Sequence, residues 1–368
     1  MNGVSVVVPT RDSNDTAPTL FASLDRARAV LDAPSEVIVV DDSGPAQRPE
    51  LERLCARHGV RLLSGGPNVG GKRNRGAAAA RFDVLLFVDS DCQASPELLR
   101  EHWRTHTAGA GACAGPVEFT GPRSWLWPAM DLMGTAAGFW APATRERVLW
   151  APTANLSVAR SCFEAVGGFD ATLPNRGGGE DVDIGIRLTE RGVAIHGNPR
   201  ALVWHSTSTW NSPRVMLRRL GRYGRSEPRL LARHPTRSLV VPPGHLTLLA
   251  PSVAVWLAAG LLSGAGAWLA PVWAAAYVAA WLSRSLRAGR PEPGVVGTVA
   301  TSMLLEAAYE LGRLGACLRM GQPAWAIRRL LLDDRQPTAE WMGGSARLWC
   351  WCAASAVCAA GLVAAGGG

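Results

Sequence analysis

At 368 residues the chain exceeds one average domain, and its formal charge of +8 comes almost wholly from arginine, since Lys72 is the only lysine. The arginines crowd at 214–237 and 284–290 instead of alternating with aromatics on one face, which excludes a nucleic-acid-binding module of known pattern. Most acidic residues and histidines lie before residue 240, whereas 246–283 is free of charge and rich in Ala, Leu, Val and Trp, so a change of solvent is expected there. The eight cysteines form no CxxC pair, and Met1-Asn2-Gly3 leads straight into a strand without a basic region or cleavage site; a reduced, cytosol-facing protein is expected.

Val4 to Val8 is a β-branched run closed by Pro9, which predicts a central strand whose pairing ends at the proline. A polar loop, 10–16, precedes Leu20, Leu24, Ala27 and Leu31 at helical spacing, and 36–40 is a second buried strand ending in Asp41-Asp42-Ser43-Gly44. A helix over 46–58 and a strand at 60–63 follow. The glycine-rich loop 65–76 then brings backbone close to a ligand and carries Lys72, Arg73 and Arg75, a cradle for phosphate oxygens, before a short helix at 76–81.

The run 84–88 suits a strand buried on both faces, and it stops at Asp89-Ser90-Asp91. Carboxylates this close, past the carboxyl end of a strand in an open sheet, favour a divalent cation; the plain alternative is a turn that ends the strand and caps the helix begun at Pro96. Such regular strand–helix alternation predicts an α/β fold with a mostly parallel, doubly wound sheet.

Val-Val-Val-Pro-Thr, Val-Val-Asp41-Asp42-Ser, Asn68-Val-Gly with Arg73-Asn74-Arg-Gly76, and Phe-Val-Asp89-Ser-Asp91, in this order, resemble the signatures of family 2 glycosyltransferases with the GT-A (nucleotide-diphospho-sugar transferase) fold, over roughly residues 3–210. The resemblance implies a nucleotide-sugar donor, taken as a UDP-sugar such as UDP-glucose. Pro9 and Thr10 would lie near the nucleoside and Asp42, with Asp41, at the base edge. Arg73 would lie near the base and diphosphate, while Lys72, where alanine is usual in the family, either holds the pyrophosphate or is solvated. Asp89 and Asp91 match the family's metal-binding Asp-X-Asp motif, Asp91 as direct ligand and Asp89 nearer the ribose, with Mg²⁺ or Mn²⁺ bridging the phosphates.

In the second half Trp125, Trp127, Phe139 and Trp140 offer either a stacking surface for an acceptor or packing. Residues 152–158 read as a strand, placing Asn155 at the acceptor edge by the resemblance, and Gly167-Gly168-Phe169-Asp170 as the turn after a short helix. A triglycine then leads to Glu180-Asp181 at a helix start, two carboxylates where a loop closes over the donor. The resemblance makes Asp181 the general base of an inverting transfer, whereas Asp183 reads as a partner of the helix dipole. Residues 195–203 continue to a last strand, after which His205 is either structural or a third metal ligand, as in some branches of the family.

Beyond 210, residues 215–226 predict a basic amphipathic helix whose arginines lie over lipid phosphates or over the donor diphosphate. Tyr223-Gly224-Arg225-Ser226 and the segment 230–235 resemble mycofactocin-type glycosyltransferases, which glycosylate a peptide-derived redox cofactor; those enzymes generally carry an additional N-terminal segment. The expected layout is a catalytic domain over 1–210, a juxtamembrane segment over 211–245 and a helical membrane region over 246–368. Spans are expected at 246–263, 266–283 and 347–365, with an interfacial or bundle-facing helix at 295–318 and the catalytic domain at the cytoplasmic membrane face; a buried soluble helical domain is the alternative. A cell-wall or lipid-linked glycan is the other acceptor, and a nucleotidyltransferase or an inactive membrane-anchored binding subunit the other class.

Overall fold

The computed structural model describes residues 1–175, 179–240, 245–264, 266–287, 294–332, 355 and 357–365. The chain divides into two compact units, one built mainly from Met1–Arg123 and Gly134–Ser212, the other mainly from Ser124–Met133 and Pro213–Leu331.

The first unit runs β1 (Val4–Thr10), α1 (Ala17–Ala29), β2 (Ser35–Asp41), α2 (Arg48–Arg57), β3 (Arg61–Ser64), α3 (Val69–Ala79), β4 (Val84–Phe87), β5 (Cys92–Ala94), α4 (Leu98–Thr107), β6 (Ala112–Ala114) and β7 (Val117–Thr120). After α5 (Trp127–Leu132), which belongs to the second unit, it resumes with α6 (Ala137–Thr144), β8 (Arg147–Val148), β9 (Leu156–Ala159), α7 (Arg160–Ala165), α8 (Glu180–Glu190), β10 (Ile195–Gly197) and β11 (Val203–Ser206). Eight strands form one sheet in the order β3-β2-β1-β4-β9-β6-β10-β8. The first four are parallel, β9 runs against both neighbours, β10 is parallel to β6, and β8 closes the edge antiparallel. Alternate residues feed opposite cores: Val4, Val6 and Val8 pack with Leu20, Leu24 and Leu51, while Val7, Leu85 and Phe87 pack with Phe163, Ile184 and Leu188. Burial on both faces is why these strands read as unbroken apolar runs, each side chain stabilising by about 1.5–3 kcal/mol.

Pro9 does not end the pairing, as the sequence led one to expect. β1 stays in register with β2 through Pro9↔Val40 and Thr10↔Asp41, whereas its ladder with β4 ends at Val7↔Phe87. In a parallel strand Pro9 faces the same neighbour as Val7, whose carbonyl accepts from Val88 N, so its missing N–H falls on the side where β4 has already stopped.

α3 also begins earlier than expected. The Asn68 side chain accepts from Gly71 N at 2.8 Å, capping a helix that includes Gly70 to Arg75, so Lys72 and Arg73 project from helical turns and not from a loop. Gly76 lets this helix lie on the sheet, because a Cβ there would meet Val7 Cγ1 at 2.3 Å. The single strand expected over 195–203 is two strands in different sheets: β10 pairs with β6, and β11 lies in a second sheet of order β5-β11-β7.

The second unit contains α9 (Pro213–Arg233), β12 (Ser238–Val240), α10 (His245–Leu262), α11 (Leu269–Arg287), α12 (Val295–Arg319) and β13 (Arg328–Leu330). α9 crosses α12 closely enough that a Cβ at Gly224 would meet Tyr309 O at 1.9 Å and one at Gly312 would meet Gly221 O at 2.1 Å. The glycine of the Tyr-Gly-X-Ser element is therefore a packing requirement. Glu227 accepts from Tyr309 Oη at 2.7 Å and Leu330 N at 3.0 Å and pairs with Arg313 at 2.8 Å, locking α9, α12 and β13 together. Arg313 thus serves the bundle, in line with the bundle-facing helix expected at 295–318. α10 and α11 occupy the first two expected spans, but among the described residues no helix is long and apolar enough to cross a membrane. Of the expected third span, 347–365, residues 347–354 and 356 lie outside the described residues.

Candidate active site

The carboxyl ends of β1 and β2 bring Thr10, Asp41 and Asp42 together. Asp41 is buried and accepts from Thr10 Oγ1 at 2.9 Å, Ser43 N at 3.1 Å and Arg48 Nη1 at 3.3 Å. Asp42 pairs with Lys72 and, at 3.5 Å, with Arg11. Lys72 is itself buried and donates to the Thr10 carbonyl at 2.7 Å. It is therefore not solvated; its charge goes to Asp42, beside Pro9 and Thr10 on the buried strand. Ser90, between the two motif aspartates, meets Ser13 Oγ at 2.9 Å and so ties the Asp-Ser-Asp turn to the loop after β1.

Arg73 joins the two acidic motifs. From α3 its Nη2 donates to Asp89 Oδ1 at 2.8 Å and its Nη1 to Glu180 Oε1 at 3.0 Å. Burial works against the guanidinium charge, but the carboxylates of Asp89 and Glu180 more than offset it, and its pKa is raised. The same guanidinium lies 5.6 Å from the centre of the Phe169 ring. Asn74 fixes that ring's backbone, accepting from Phe169 N at 2.8 Å and donating to its carbonyl at 2.7 Å. Gly168, at φ +67°, makes the turn possible beneath it.

Asp181 follows Glu180 in the first turn of α8, its Oδ1 accepting from Val182 N at 2.9 Å. Burial, followed by the Glu180 charge, pushes its carboxyl up to about 7, which is where a general base is best placed near neutral pH. Asp183 is buried and paired with Arg187 at 2.6 Å, a structural contact within the helix. The preceding loop, 176–178, lies outside the described residues.

The second sheet builds the other end of the site. β11 runs antiparallel to β5 with His205 opposite Cys92, which sets the imidazole beside the residue before Cys92. His205 Nε2 lies 3.3 Å from Asp91 Oδ2, and its Nδ1 is 2.9 Å from the Ser206 carbonyl. That carbonyl only accepts, so Nδ1 carries a hydrogen and Nε2 is the ring nitrogen that faces the carboxylate. A nitrogen and a carboxylate oxygen at this separation are a donor pair that a divalent cation would fit. Among the described residues Asp91, Cys92 and His205 are the group able to hold a metal. Burial, with the charges of Asp91 and Asp89, raises the Cys92 thiol well above its usual range, so oxygen and nitrogen from Asp91 and His205 are the fitting donors for Mg²⁺ or Mn²⁺. Asp89 stands apart from this pair, engaged by Arg73. Phe119 and Trp210 wall the imidazole at ring-centre distances of 5.3 and 6.3 Å.

Residues 5–169 match the model of Glycosyl transferase family 2. This stretch belongs to that family. Glu180, Asp181 and His205 lie past the matched residues of the family 2 domain. A pre-mycofactocin glycosyltransferase of Mycobacterium tuberculosis is 30% identical over 328 residues, covering 84% of this chain and 63% of that protein. A validoxylamine A glucosyltransferase of Streptomyces hygroscopicus subsp. jinggangensis is 26% identical over 224 residues, 52% of each chain. The chain thus spans less than two thirds of the length of these relatives. A mannosyltransferase from Pyrobaculum calidifontis, solved with GDP-Man and Mn²⁺, superposes with a TM-score of 0.46 at 15% identity, over 98% of this chain and 86% of that one.

Asn155 does not sit at an acceptor edge of the family 2 domain. It is fully buried, accepting from His102 Nε2 at 2.9 Å and donating to the Pro116 and Ala201 carbonyls at 2.9 and 2.7 Å. Its place just before β9, a strand covered on both faces, turns the side chain into the core. His102 and His106 both reach Ser157 Oγ at 2.7 Å, extending the network under the sheet. Of the four aromatics proposed for stacking, Trp127 is buried and Phe139 packs on Phe119 and Trp210, whereas Trp125 and Trp140 are exposed. Sequence reasoning missed Arg48, Ser43 and Asn74. Asn74 had a signal, lying inside the Arg-Asn element; Arg48 and Ser43 had none beyond following the Asp pair.

Proposed function

We propose that this chain is a metal-dependent inverting glycosyltransferase that moves a sugar, with UDP-glucose as the leading donor, to a hydroxyl of a peptide-derived redox cofactor of mycofactocin type, at the cytoplasmic face of a membrane. The observation that carries the reading is Arg73, which binds Asp89 of the Asp-X-Asp motif and Glu180, the neighbour of Asp181, in one guanidinium. Donor motif and candidate base are thereby held in fixed relation within one unit.

In the proposed reaction Asp181 takes the proton of the acceptor hydroxyl. The hydroxyl oxygen forms a bond to the anomeric carbon, the bond from that carbon to the donor phosphate breaks, and the nucleoside diphosphate leaves with the electron pair, inverting the centre. Asp91 and His205 are the residues that would hold Mg²⁺ or Mn²⁺, and the ion supplies neutralisation of the diphosphate charge. Asp42, with Lys72 and Thr10 behind it, forms the nucleoside end. The name of the Mycobacterium relative, matched along most of this chain, supports the acceptor class, and the glucosyl transfer named for the Streptomyces relative supports glucose. The arginine-rich helix α9 supports placement at a lipid surface.

The test incubates the chain with UDP-glucose, Mn²⁺ and pre-mycofactocin and reads both released nucleotide and acceptor mass. UDP with a one-hexose mass gain, lost in Asp181→Asn, is the expected result. Pyrophosphate release would point to nucleotidyl transfer instead, and hexose transfer only to a glycan or lipid-linked sugar would remove the cofactor acceptor.

A further inference from the structure

The second unit presents a basic surface along α9. Along α9, Arg214, Arg218, Arg222, Arg225 and Arg229 are spaced by four, four, three and four residues. At 100° per residue they fall within an arc of about 80°, a single basic face. Beside it, α12 exposes Leu304, Leu311 and Leu318 at seven-residue spacing, each about 60% accessible. Between the two helices lies a groove of about 550 Å³ lined by Arg218, Arg222, Arg225 and Arg319, with Leu311 and Gly312 among its other contacts and no carboxylate in its lining. The close crossing of the helices shapes its floor: the Arg225 and Arg319 guanidiniums come within 3.7 Å of where a Cβ on Gly221 and Gly315 would stand.

We propose that this α9–α12 face docks on an anionic lipid bilayer, the arginine groove receiving lipid phosphates while the leucine stripe enters the acyl boundary. The proposal deepens the membrane placement given above but does not depend on the transfer chemistry. Charge complementarity selects the headgroup, since Arg218, Arg225 and Arg319 face a groove whose lining, among the described residues, holds no carboxylate. The exposed leucines select a lipid over a free phosphate, which would leave them in water. A second copy of the chain meeting this face about a two-fold axis would set arginine against arginine, so self-association is disfavoured.

Co-sedimentation of the full chain with vesicles tests this. Vesicles of phosphatidylcholine mixed with phosphatidylglycerol should bind, and phosphatidylcholine alone should bind about tenfold less or worse. Arg218→Gln/Arg225→Gln should lose about tenfold on the anionic vesicles. Leu304→Ser/Leu311→Ser should weaken binding to vesicles yet leave any retention of inorganic phosphate unchanged. Circular dichroism checks that both variants fold. Equal binding to both vesicle types, or indifference to the arginine pair, overturns the proposal. So does binding of inorganic phosphate that competes fully with vesicles, or a dimer abolished by the leucine changes. Because no sugar donor is present, failure here leaves the transferase reading intact, and a dead transferase that still binds vesicles leaves this one intact.

Discussion

Arg73 and Glu180 are 107 residues apart in sequence and 3.0 Å apart in space, with Asp89 on the other arm of the same guanidinium at 2.8 Å. A planar fork spans two carboxylates; a lysine ammonium is a point charge on a flexible stem and does not hold both in one geometry. Arg73→Lys is expected to keep the fold and lose about 10–100-fold in kcat/KM, because Glu180 and the base beside it shift relative to the donor motif. Arg73→Met leaves two carboxylates facing an apolar side chain. It should cost about 3 kcal/mol in urea unfolding, the low end for a broken buried pair because Asp89 remains a third exposed. Wild-type turnover in Arg73→Lys would remove the bridging role.

Asp181 should write its environment into both rate and stability. Its carboxyl is pushed up to about 7, first by burial and then by Glu180, and a base works only when ionised. Turnover is therefore expected to rise through pH 7 and level off above it. The linkage has the opposite sign. A raised acid favours the folded state while protonated, so stability falls as pH climbs from the unfolded value of about 4 through 7. Asp181→Asn should abolish transfer and, at pH 8, gain about 1–3 kcal/mol, a range discounted for partial exposure. A variant less stable than the parent at pH 8 would contradict the assigned environment.

The parallel half of the sheet was legible because double burial leaves an unmistakable signature: Val4 to Val8, 36–40 and 84–88 are runs of branched residues with acids or turns at their carboxyl ends. The two acidic motifs were legible for the same reason. What escaped depended on partners distant in sequence. Glycines at 70 and 71 argue against a helix by propensity, and only the cap at Asn68 and the close approach to the sheet, which demands Gly76, outweigh it. The resemblance put Asn155 at the acceptor edge, and nothing local tells that His102, Pro116 and Ala201 converge on it. The apolar block after 245 gave helices as expected, but a run of apolar residues does not distinguish a bilayer span from helices packed on one another. There Trp256 stacks on Trp273 at 5.9 Å, and Trp273 donates to Ser252 at 2.8 Å.

Asn155 makes a prediction that separates a core role from a binding role. Asn155→Ala orphans His102 and two carbonyls, at a cost of about 1–3 kcal/mol, while the donor KM stays unchanged in whatever fraction remains folded. The network also has a pH signature. Burial pushes His102 and His106 down to about 4, against 6.5 for the free side chain. Their contribution is full above pH 6.5 and is lost as pH falls from there toward 4, by up to about 3 kcal/mol for each histidine. Urea midpoints from pH 8 to 4 measure this slope; a flat profile between 6.5 and 5 would show that the pair is not held neutral.

The last prediction concerns the pair at the far end of the site. His205 Nε2 and Asp91 Oδ2 are 3.3 Å apart with the Nδ1 hydrogen already given to Ser206, so Nε2 and the carboxylate are the two donors a divalent ion would take here. Mn²⁺ binding followed by electron paramagnetic resonance, in the presence of UDP, reads whether the pair holds the ion. Asp91→Asn and His205→Ala should each weaken it by about 10–100-fold. Asp89→Asn should weaken it less, because Arg73 already holds that carboxylate. Cys92→Ser should leave the signal unchanged, since burial keeps the thiol protonated. Mn²⁺ affinity indifferent to His205→Ala would return that histidine to a purely structural place between Phe119 and Trp210.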